Sequence, residues 1–206
     1  VPFVKTGGLA DVVGALPQYI DKKEFDVRVV MPYYTCIPEN FRNDFKYKHH
    51  FYMDYGMRIV NTHVGIMEYE YKGITFYFVD NEYYFNGSTP YTSDLKWDIE
   101  RFTFFSKAVL AIMPVIDFKP DIIHCHDWQT GLIPVFLKST FASNPFYNGT
   151  KTIMTIHNLK FQGTWDIDTF KFNTALPDYM FTPDKLEYKR DANMLKGGLV
   201  YADYIT

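Results

Sequence analysis

Lys5-Thr-Gly-Gly-Leu-Ala-Asp-Val-Val-Gly14 constrains the fold most, because a lysine and two adjacent glycines lead directly into an amphipathic helical pattern. Glycine has no Cβ atom, so the N–H groups of Gly7 and Gly8 can approach a diphosphate at the positive end of a helix dipole. Lys5 adds a full positive charge. A tight turn that needs only the flexibility of glycine is the alternative. The apolar residues of the predicted helix recur at helical spacing and are Leu9, Val12, Val13, Leu16 and Ile20.

Two later segments look like strands that end in polar residues and lead into further structure. Residues 120–131 contain a short apolar run followed by a helical pattern, and residues 151–163 begin with a β-rich run. In parallel α/β sheets, polar residues just beyond the carboxyl ends of strands line the ligand crevice. The residues at these two strand ends are His126, Asp127, Trp128, His157, Asn158, Gln162 and Gly163.

The remaining elements alternate between strands and helices. Residues 25–32 read as a strand, and residues 67–71 and 74–79 flank Lys72-Gly73, a plausible hairpin turn. Residues 97–116 and 132–137 carry apolar residues at helical spacing. The pattern predicts one α/β domain over residues 1–206, with a mainly parallel, Rossmann-like sheet, helices on both faces, and an antiparallel excursion near 45–75.

Composition argues against several classes of partner. A net charge of −3 gives no electrostatic reason to expect nucleic acid or an anionic membrane surface. Two cysteines cannot form a disulfide framework, which favours a reducing, cytoplasmic setting. We see no signal peptide and no apolar stretch of about 18 residues, the length that a transmembrane helix needs.

Five segments together resemble bacterial glycogen synthase and plant starch synthase. They occur in the order found in that family and cover essentially the whole chain. In one-letter code they are KTGGLADV from residue 5, VDNEYYF from residue 79, HDWQTGL from residue 126, TIHNLKFQG from residue 155 and LKGGLVYADYIT from residue 195.

The resemblance implies a glycosyltransferase of the GT-B type, with two Rossmann-like domains facing each other across a cleft. It implies transfer of glucose from ADP-glucose to the non-reducing end of an α-1,4-glucan such as glycogen, with retention of configuration and without a cofactor. We expect this chain to be the N-terminal domain, lacking a family first strand and the C-terminal donor-binding domain of the same polypeptide. The isolated chain is therefore expected to be inactive.

The resemblance also implies roles for individual residues. Lys5, Gly7 and Gly8 are expected to bind the donor diphosphate, and Thr6 and Asp11 of the same motif are expected to bind substrate. His157 and Asn158 are expected to contact the transferred glucose, and Gln162 and Gly163 to bind substrate. Asp127 and His157 are the expected catalytic residues, Asp127 as an orienter of hydroxyls rather than a nucleophile. Capping of the following helix by Asp127 is the alternative.

The loop from Asn81 to Tyr91 is a candidate acceptor surface. Turn residues surround its aromatic side chains, so Tyr83, Tyr84 or Tyr91 could dock a glucan on an aromatic ring, and packing in the core is the alternative for each.

We expect no metal site in the chain. His124 and His126 share one face of a strand while Cys125 points away. Asp166-Ile-Asp168 reads as a solvated acidic turn.

Two other functions stay open at this point. A related transferase could use UDP-glucose or a small acceptor. A non-catalytic glucan-binding module would explain the aromatic residues but would leave Lys5 to Gly8 unexplained.

Overall fold

The computed structural model describes all residues from Val1 to Thr206. The chain divides into two compact units, the first formed by residues 1–52 and 63–92 and the second by residues 53–62 and 93–206. No helix is both long enough and apolar enough to cross a membrane. The domain count of one stays a prediction.

The first unit contains helix α1 (Gly8–Tyr19), strand β1 (Arg28–Pro32), a helical turn α2 (Glu39–Arg42), most of the long strands β2 (Lys46–Tyr55) and β3 (Ile59–Tyr71), strand β4 (Ile74–Asp80) and a helical turn α3 (Glu82–Phe85). The four strands form one sheet in the order β1-β4-β3-β2. β1 pairs with β4 in parallel, and β3 pairs with β4 antiparallel.

The predicted hairpin is confirmed at Lys72-Gly73, where Tyr71 faces Ile74 across the turn. Both turn residues have positive φ, 51° for Lys72 and 70° for Gly73. Positive φ at both central residues matches the right-handed twist of the flanking strands, so this two-residue loop fixes the register. The antiparallel excursion predicted near 45–75 is likewise confirmed.

The core of the first unit is built around one aromatic ring. Phe3 is 3% exposed and makes edge contacts with the rings of six residues at centroid distances of 5.0–5.9 Å. Edge-to-face packing of this kind adds about 0.5–1.5 kcal/mol per pair beyond simple burial. Because Lys5 follows two residues later, Phe3 anchors the candidate phosphate-binding turn to the sheet. The six rings are Phe41, Phe45, Tyr69, Tyr71, Phe76 and Phe78.

The second unit contains helices α4 (Leu95–Val115), α5 (Leu132–Leu137), α6 (Ile167–Thr174) and α7 (Met194–Tyr201). Its first sheet holds strands β5 (Ile122–His126), β6 (Lys151–Thr155) and β10 (Tyr204–Ile205) in the order β10-β6-β5, all parallel. Its second sheet is antiparallel, in the order β7-β9-β8, and holds β7 (Thr164–Asp166), β8 (Glu187–Tyr188) and β9 (Asp191–Asn193).

The α/β class is confirmed, and so is parallel pairing of the strands that end before Asp127 and His157. Antiparallel pairing reaches further than predicted, since the sheet formed by β7, β8 and β9 was not expected. The predicted acidic turn at Asp166-Ile-Asp168 is wrong in part, because Asp166 is the N-cap of α6. Its Oδ1 accepts a hydrogen bond from the Thr169 amide at 2.8 Å.

Two glycines allow α7 to pack against the segment that opens α5. A Cβ atom on Gly131 would overlap the Met194 carbonyl, and a Cβ atom on Gly198 would lie 3.0 Å from the Cα of Gly131. The paired glycines of the Leu195–Gly198 motif therefore have a packing role at Gly198. This contact fixes α5, and with it the end of β5.

Replacement of Phe3 by alanine should lower the free energy of unfolding by roughly 3–5 kcal/mol, because the cavity would open among six rings. Urea unfolding followed by circular dichroism measures this change. Tyr19→Ala is the matched control, since Tyr19 is 88% exposed, and its effect should stay within about 0.5 kcal/mol. Equal losses in the two variants would contradict the central role of Phe3.

Candidate functional site

Asp127 connects the ends of two neighbouring strands. It follows β5 directly, and its Oδ1 accepts hydrogen bonds from the backbone amides of His157 at 2.7 Å and Asn158 at 3.2 Å, just beyond β6. Its own amide donates to the Thr155 carbonyl at 2.9 Å. The side chain is 6% exposed. A buried carboxylate that accepts two amide bonds is a strong local constraint, because hydrogen bonds to a charged group are stronger than neutral ones.

The backbone of Asp127 lies in a region that glycine normally occupies. Its φ is 57° and its ψ is −177°. Such a conformation costs about 1–3 kcal/mol in a residue with a Cβ atom, and it persists only where the surroundings enforce it. The two amide bonds and the close-packed segment after β5 provide that enforcement. Strain of this kind concentrates at functional sites.

In the structure, the Asp127 side chain does not cap the helix that follows it. A short 3₁₀ helix, Trp128–Thr130, follows, and the Asp127 side chain makes no cap bond to it. The hydroxyl of Thr130 instead accepts a bond from the His126 amide at 2.7 Å. Both amide bonds from the residues beyond β6 end on Oδ1 of Asp127, and no hydrogen bond within the protein reaches its Oδ2.

Three histidine rings stack beside Asp127. The centroids of His124 and His126 are 4.2 Å apart, and those of His126 and His157 are 5.2 Å apart. Nδ1 of His126 lies 3.0 Å from Nε2 of His157, which is hydrogen-bonding distance. Nε2 of His124 lies 2.6 Å from the hydroxyl oxygen of Thr155. The shared face of His124 and His126 is confirmed, while Cys125 is buried on the opposite side at 1% exposure.

The buried position keeps the central ring neutral. Burial, helped by the neighbouring charges of His124 and His157, lowers the pKa of His126 to about 3. Burial also lowers the pKa of His124, with His157 as the second cause. Burial raises the pKa of the Cys125 thiol, which therefore stays protonated. No group of three or more His, Cys, Asp or Glu side chains is arranged to hold a metal ion.

Gln162 and Gly163 shape the loop that follows His157. Both ends of the Gln162 amide are used internally, since Oε1 accepts from Asn193 at 2.7 Å and Nε2 donates to the Leu159 carbonyl at 3.1 Å. Gly163 has a φ of 61°, and a Cβ atom there would overlap the ring of Trp128. Packing alone thus accounts for both residues, and their substrate contact stays a prediction.

The glycine turn before α1 is open. A Cβ atom on Gly7 or Gly8 would meet no atom within 4 Å, and neither glycine has a left-handed φ. Flexibility is therefore not what the turn requires. Gly7 precedes the helix with an extended backbone and no side-chain cap. Nζ of Lys5 lies 2.8 Å from Oδ1 of Asp11, and both side chains are more than half exposed.

The two adjacent tyrosines of the candidate acceptor loop differ in exposure. Tyr83 is 71% exposed, whereas Tyr84 is 2% exposed and lies in the core of the first unit. Packing, the alternative kept open for each ring, is the role that the structure gives Tyr84. Asn81 begins the helical turn by accepting a bond from the Tyr84 amide at 3.2 Å.

The sequence did not reveal that His126 contacts His157. A signal was available, because β5 and β6 pair in parallel with His126 opposite Thr155. His157 follows Thr155 by two residues, so the two rings emerge at the same edge of the sheet.

Comparisons with known proteins match this arrangement to one family. The family model described as the starch synthase catalytic domain matches residues 1–206. The chain belongs to this family. It is 61% identical over 206 residues to a glycogen synthase of Lachnospira eligens and 59% identical over 206 residues to one of Lachnoclostridium phytofermentans. In each case the match covers 100% of this chain and 42% of the relative.

A solved structure has the same fold. It is the catalytic domain of starch synthase IV from Arabidopsis thaliana bound to ADP and acarbose, with a TM-score of 0.88 and 24% sequence identity. The match covers 100% of this chain and 42% of that one. The chain thus spans under half the length of the relatives that it matches.

Acid should destabilise the protein through His126. The pKa of this ring is about 3 in the folded state and 6.5 ordinarily, so between these values the unfolded chain binds more protons. Stability from the neutral ring is complete above about pH 6.5 and is lost as the pH falls towards about 3. Urea unfolding at a series of pH values should show a shallower acid loss in His126→Phe, and an unchanged slope would contradict the assignment.

Two substitutions of Asp127 separate its carboxylate from its strained backbone. Asp127→Ala and Asp127→Gly both delete the hydrogen bonds, but only glycine relieves the positive φ. Asp127→Gly should therefore be more stable than Asp127→Ala by about 1 kcal/mol, the reverse of the usual order. Thermal unfolding measures the difference. Asp127→Asn, which keeps an acceptor oxygen, should be the most stable of the three.

Proposed function

We propose that this chain is the N-terminal, acceptor-side part of a glucan synthase. The full protein would transfer glucose from a nucleotide sugar to the non-reducing end of an α-1,4-glucan, with retention of configuration. The observation that carries the proposal is the 59–61% identity, over the whole chain, to proteins named glycogen synthase. A C-terminal domain of the same polypeptide would supply most of the donor site.

The open glycine turn supports a role in binding the donor diphosphate. The amides of Gly7 and Gly8 make no hydrogen bond within the protein, and a Cβ atom on either glycine would meet no atom within 4 Å. Glycine there is needed neither for packing nor for a strained backbone, and close approach of a ligand is the reason that remains. Lys5 would add charge, and Asp11 would hold Lys5 at the helix start until the diphosphate replaces it. Thr6 would contribute its hydroxyl.

Asp127, His157 and Asn158, which follow the ends of β5 and β6, would bind the transferred glucose. The Asp127 carboxylate fixes the turn that carries His157 and Asn158, so the backbone at both residues is held in place before substrate arrives. Oδ2 of Asp127 would accept a hydrogen bond from a sugar hydroxyl. Asp127 would thus orient rather than attack, and the leaving diphosphate would assist deprotonation of the acceptor on the same face of the sugar. Preorganised groups of this kind lower a barrier because they need not reorganise during the reaction.

An exposed ring and a related structure suggest the nature of the acceptor and of the donor base. Tyr83 presents an exposed ring that suits the apolar face of a sugar. The Arabidopsis relative is described with ADP and acarbose bound, which favours an adenine nucleotide and a glucan-like acceptor here. Transfer from UDP-glucose, or to a small acceptor, is the nearest alternative. The two free cysteines favour a cytoplasmic location.

The decisive experiment is incorporation of radiolabelled glucose into glycogen by the full-length protein, with ADP-glucose and UDP-glucose compared. Lys5→Ala and His157→Ala should each lower incorporation from ADP-glucose, Lys5→Ala by roughly two to three powers of ten. Transfer only to small acceptors would favour the related transferase. Glucan binding without transfer, and without any effect of nucleotide on thermal stability, would favour a non-catalytic module.

A substitution at Gly8 separates binding from folding. A Cβ atom at Gly8 would meet nothing in the protein, and alanine favours the helix by up to about 1 kcal/mol. Gly8→Ala should therefore be as stable as the parent protein or more stable, yet its transfer from ADP-glucose should fall at least tenfold. Thermal unfolding and the incorporation assay measure the two effects. Unimpaired transfer would exclude close approach of the diphosphate at Gly8.

A further inference from the structure

His126 lies at the centre of the three-ring stack and is the only one of these rings hydrogen-bonded to His157. The Nδ1 atom of His126 lies 3.0 Å from Nε2 of His157, and the two rings are inclined by only 25°. His124 stacks on the opposite face of His126 and is itself bonded to Thr155. The His126 ring is thus held from one side by His124 and fixed at its base by β5.

This contact decides which nitrogen of His157 can meet a ligand. A neutral imidazole carries one proton, so one ring of the pair donates and the other accepts. In either direction, Nε2 of His157 is occupied by His126. Nδ1 is then the only ring nitrogen of His157 left for a sugar hydroxyl. In the neutral ring it is protonated where Nε2 accepts from His126 and unprotonated where Nε2 donates.

We propose that His126 is a positioning residue, whose hydrogen bond to Nε2 of His157 locks the ring plane and the tautomer of His157 and directs Nδ1 of His157 to the substrate. The catalytic consequence rests on the proposed function, because it requires that His157 contacts the transferred glucose. The locked tautomer does not, since it is a property of the protein alone.

The titratable groups that face this pair are few. His124, in the same strand, stacks on His126. Asp127, the residue after His126, accepts a hydrogen bond from the His157 amide. Thr155 contributes a neutral hydroxyl from β6. A loss of the lock on substitution of His126 can therefore be assigned to the missing hydrogen bond rather than to a new charge.

Nuclear magnetic resonance of the ring nitrogens tests the lock directly. In the full-length protein labelled with ¹⁵N-histidine, the neutral form of His157 should give one protonated and one unprotonated nitrogen signal. In His126→Phe, which keeps a stacked ring but has no Nδ1 atom, both signals should move to the intermediate positions of exchanging tautomers. His126→Asn, which keeps a polar atom near the Nδ1 position, should restore the separate signals.

His124→Phe is the matched control, because it alters the stack without touching the bond to His157. Its His157 signals should stay separate. Separate signals in His126→Phe would overturn the proposal. Mixing in His124→Phe to the same degree would also overturn it, because the stack and not the hydrogen bond would then be responsible.

Kinetics tests the catalytic consequence. Loss of one hydrogen bond should lower kcat of His126→Phe about threefold to tenfold, with recovery in His126→Asn and an unchanged KM for glycogen. Tautomer mixing without any change in kcat would overturn the role in positioning for catalysis. If the parent protein transferred no glucose, the proposed function would fail, while the nitrogen signals would still decide whether His126 locks His157.

Discussion

The hydrogen bonds from the His157 and Asn158 amides to the Asp127 carboxylate are the constraint on which the candidate site depends. Parallel strands end at the same edge of a sheet, but nothing in the ladder of hydrogen bonds fixes the chain beyond its last pair. Asp127 extends the connection to Asn158, three residues past the end of β6. The strained backbone of Asp127 is the cost of placing its carboxylate there, and the energy of two charge-assisted bonds offsets it.

Two kinds of neighbour convert this connection into a rigid site. Trp128, the next residue, is 5% exposed and packs on Phe102 of α4 and against the Cα atom of Gly163. The loop after His157 is thus held at its start by the Asp127 carboxylate and near its end by the Trp128 ring. Between these points the side chains of Leu159 and Phe161 are exposed. The loop is therefore held by its two ends rather than by burial of its own apolar side chains.

Local patterns predicted the elements, and only tertiary contacts determined the details of the site. Helical spacing predicted α1 to within one residue at each end, and the alternation around Lys72-Gly73 predicted the hairpin. Each of these signals comes from residues that are close together in the sequence. The positive φ of Asp127 could not be predicted, since it is enforced by amides 30 residues away. Tyr84 shows the same limit. Its neighbour Tyr83 has the same side chain and lies as close to the turn, yet only Tyr84 is buried.

Glycine illustrates why a motif must be interpreted together with its surroundings. At Gly131 and Gly163 a Cβ atom would overlap a carbonyl or an indole ring, so packing alone explains the residue. At Gly7 and Gly8 the same test finds empty space and an ordinary backbone. Gly7 and Gly8 are exposed at the start of α1, so neither packing nor a left-handed backbone explains them, and close approach of a ligand is the role that we propose. The contrast between crowded and open glycines therefore distinguishes the positions that hold the fold together from those that we assign to the diphosphate.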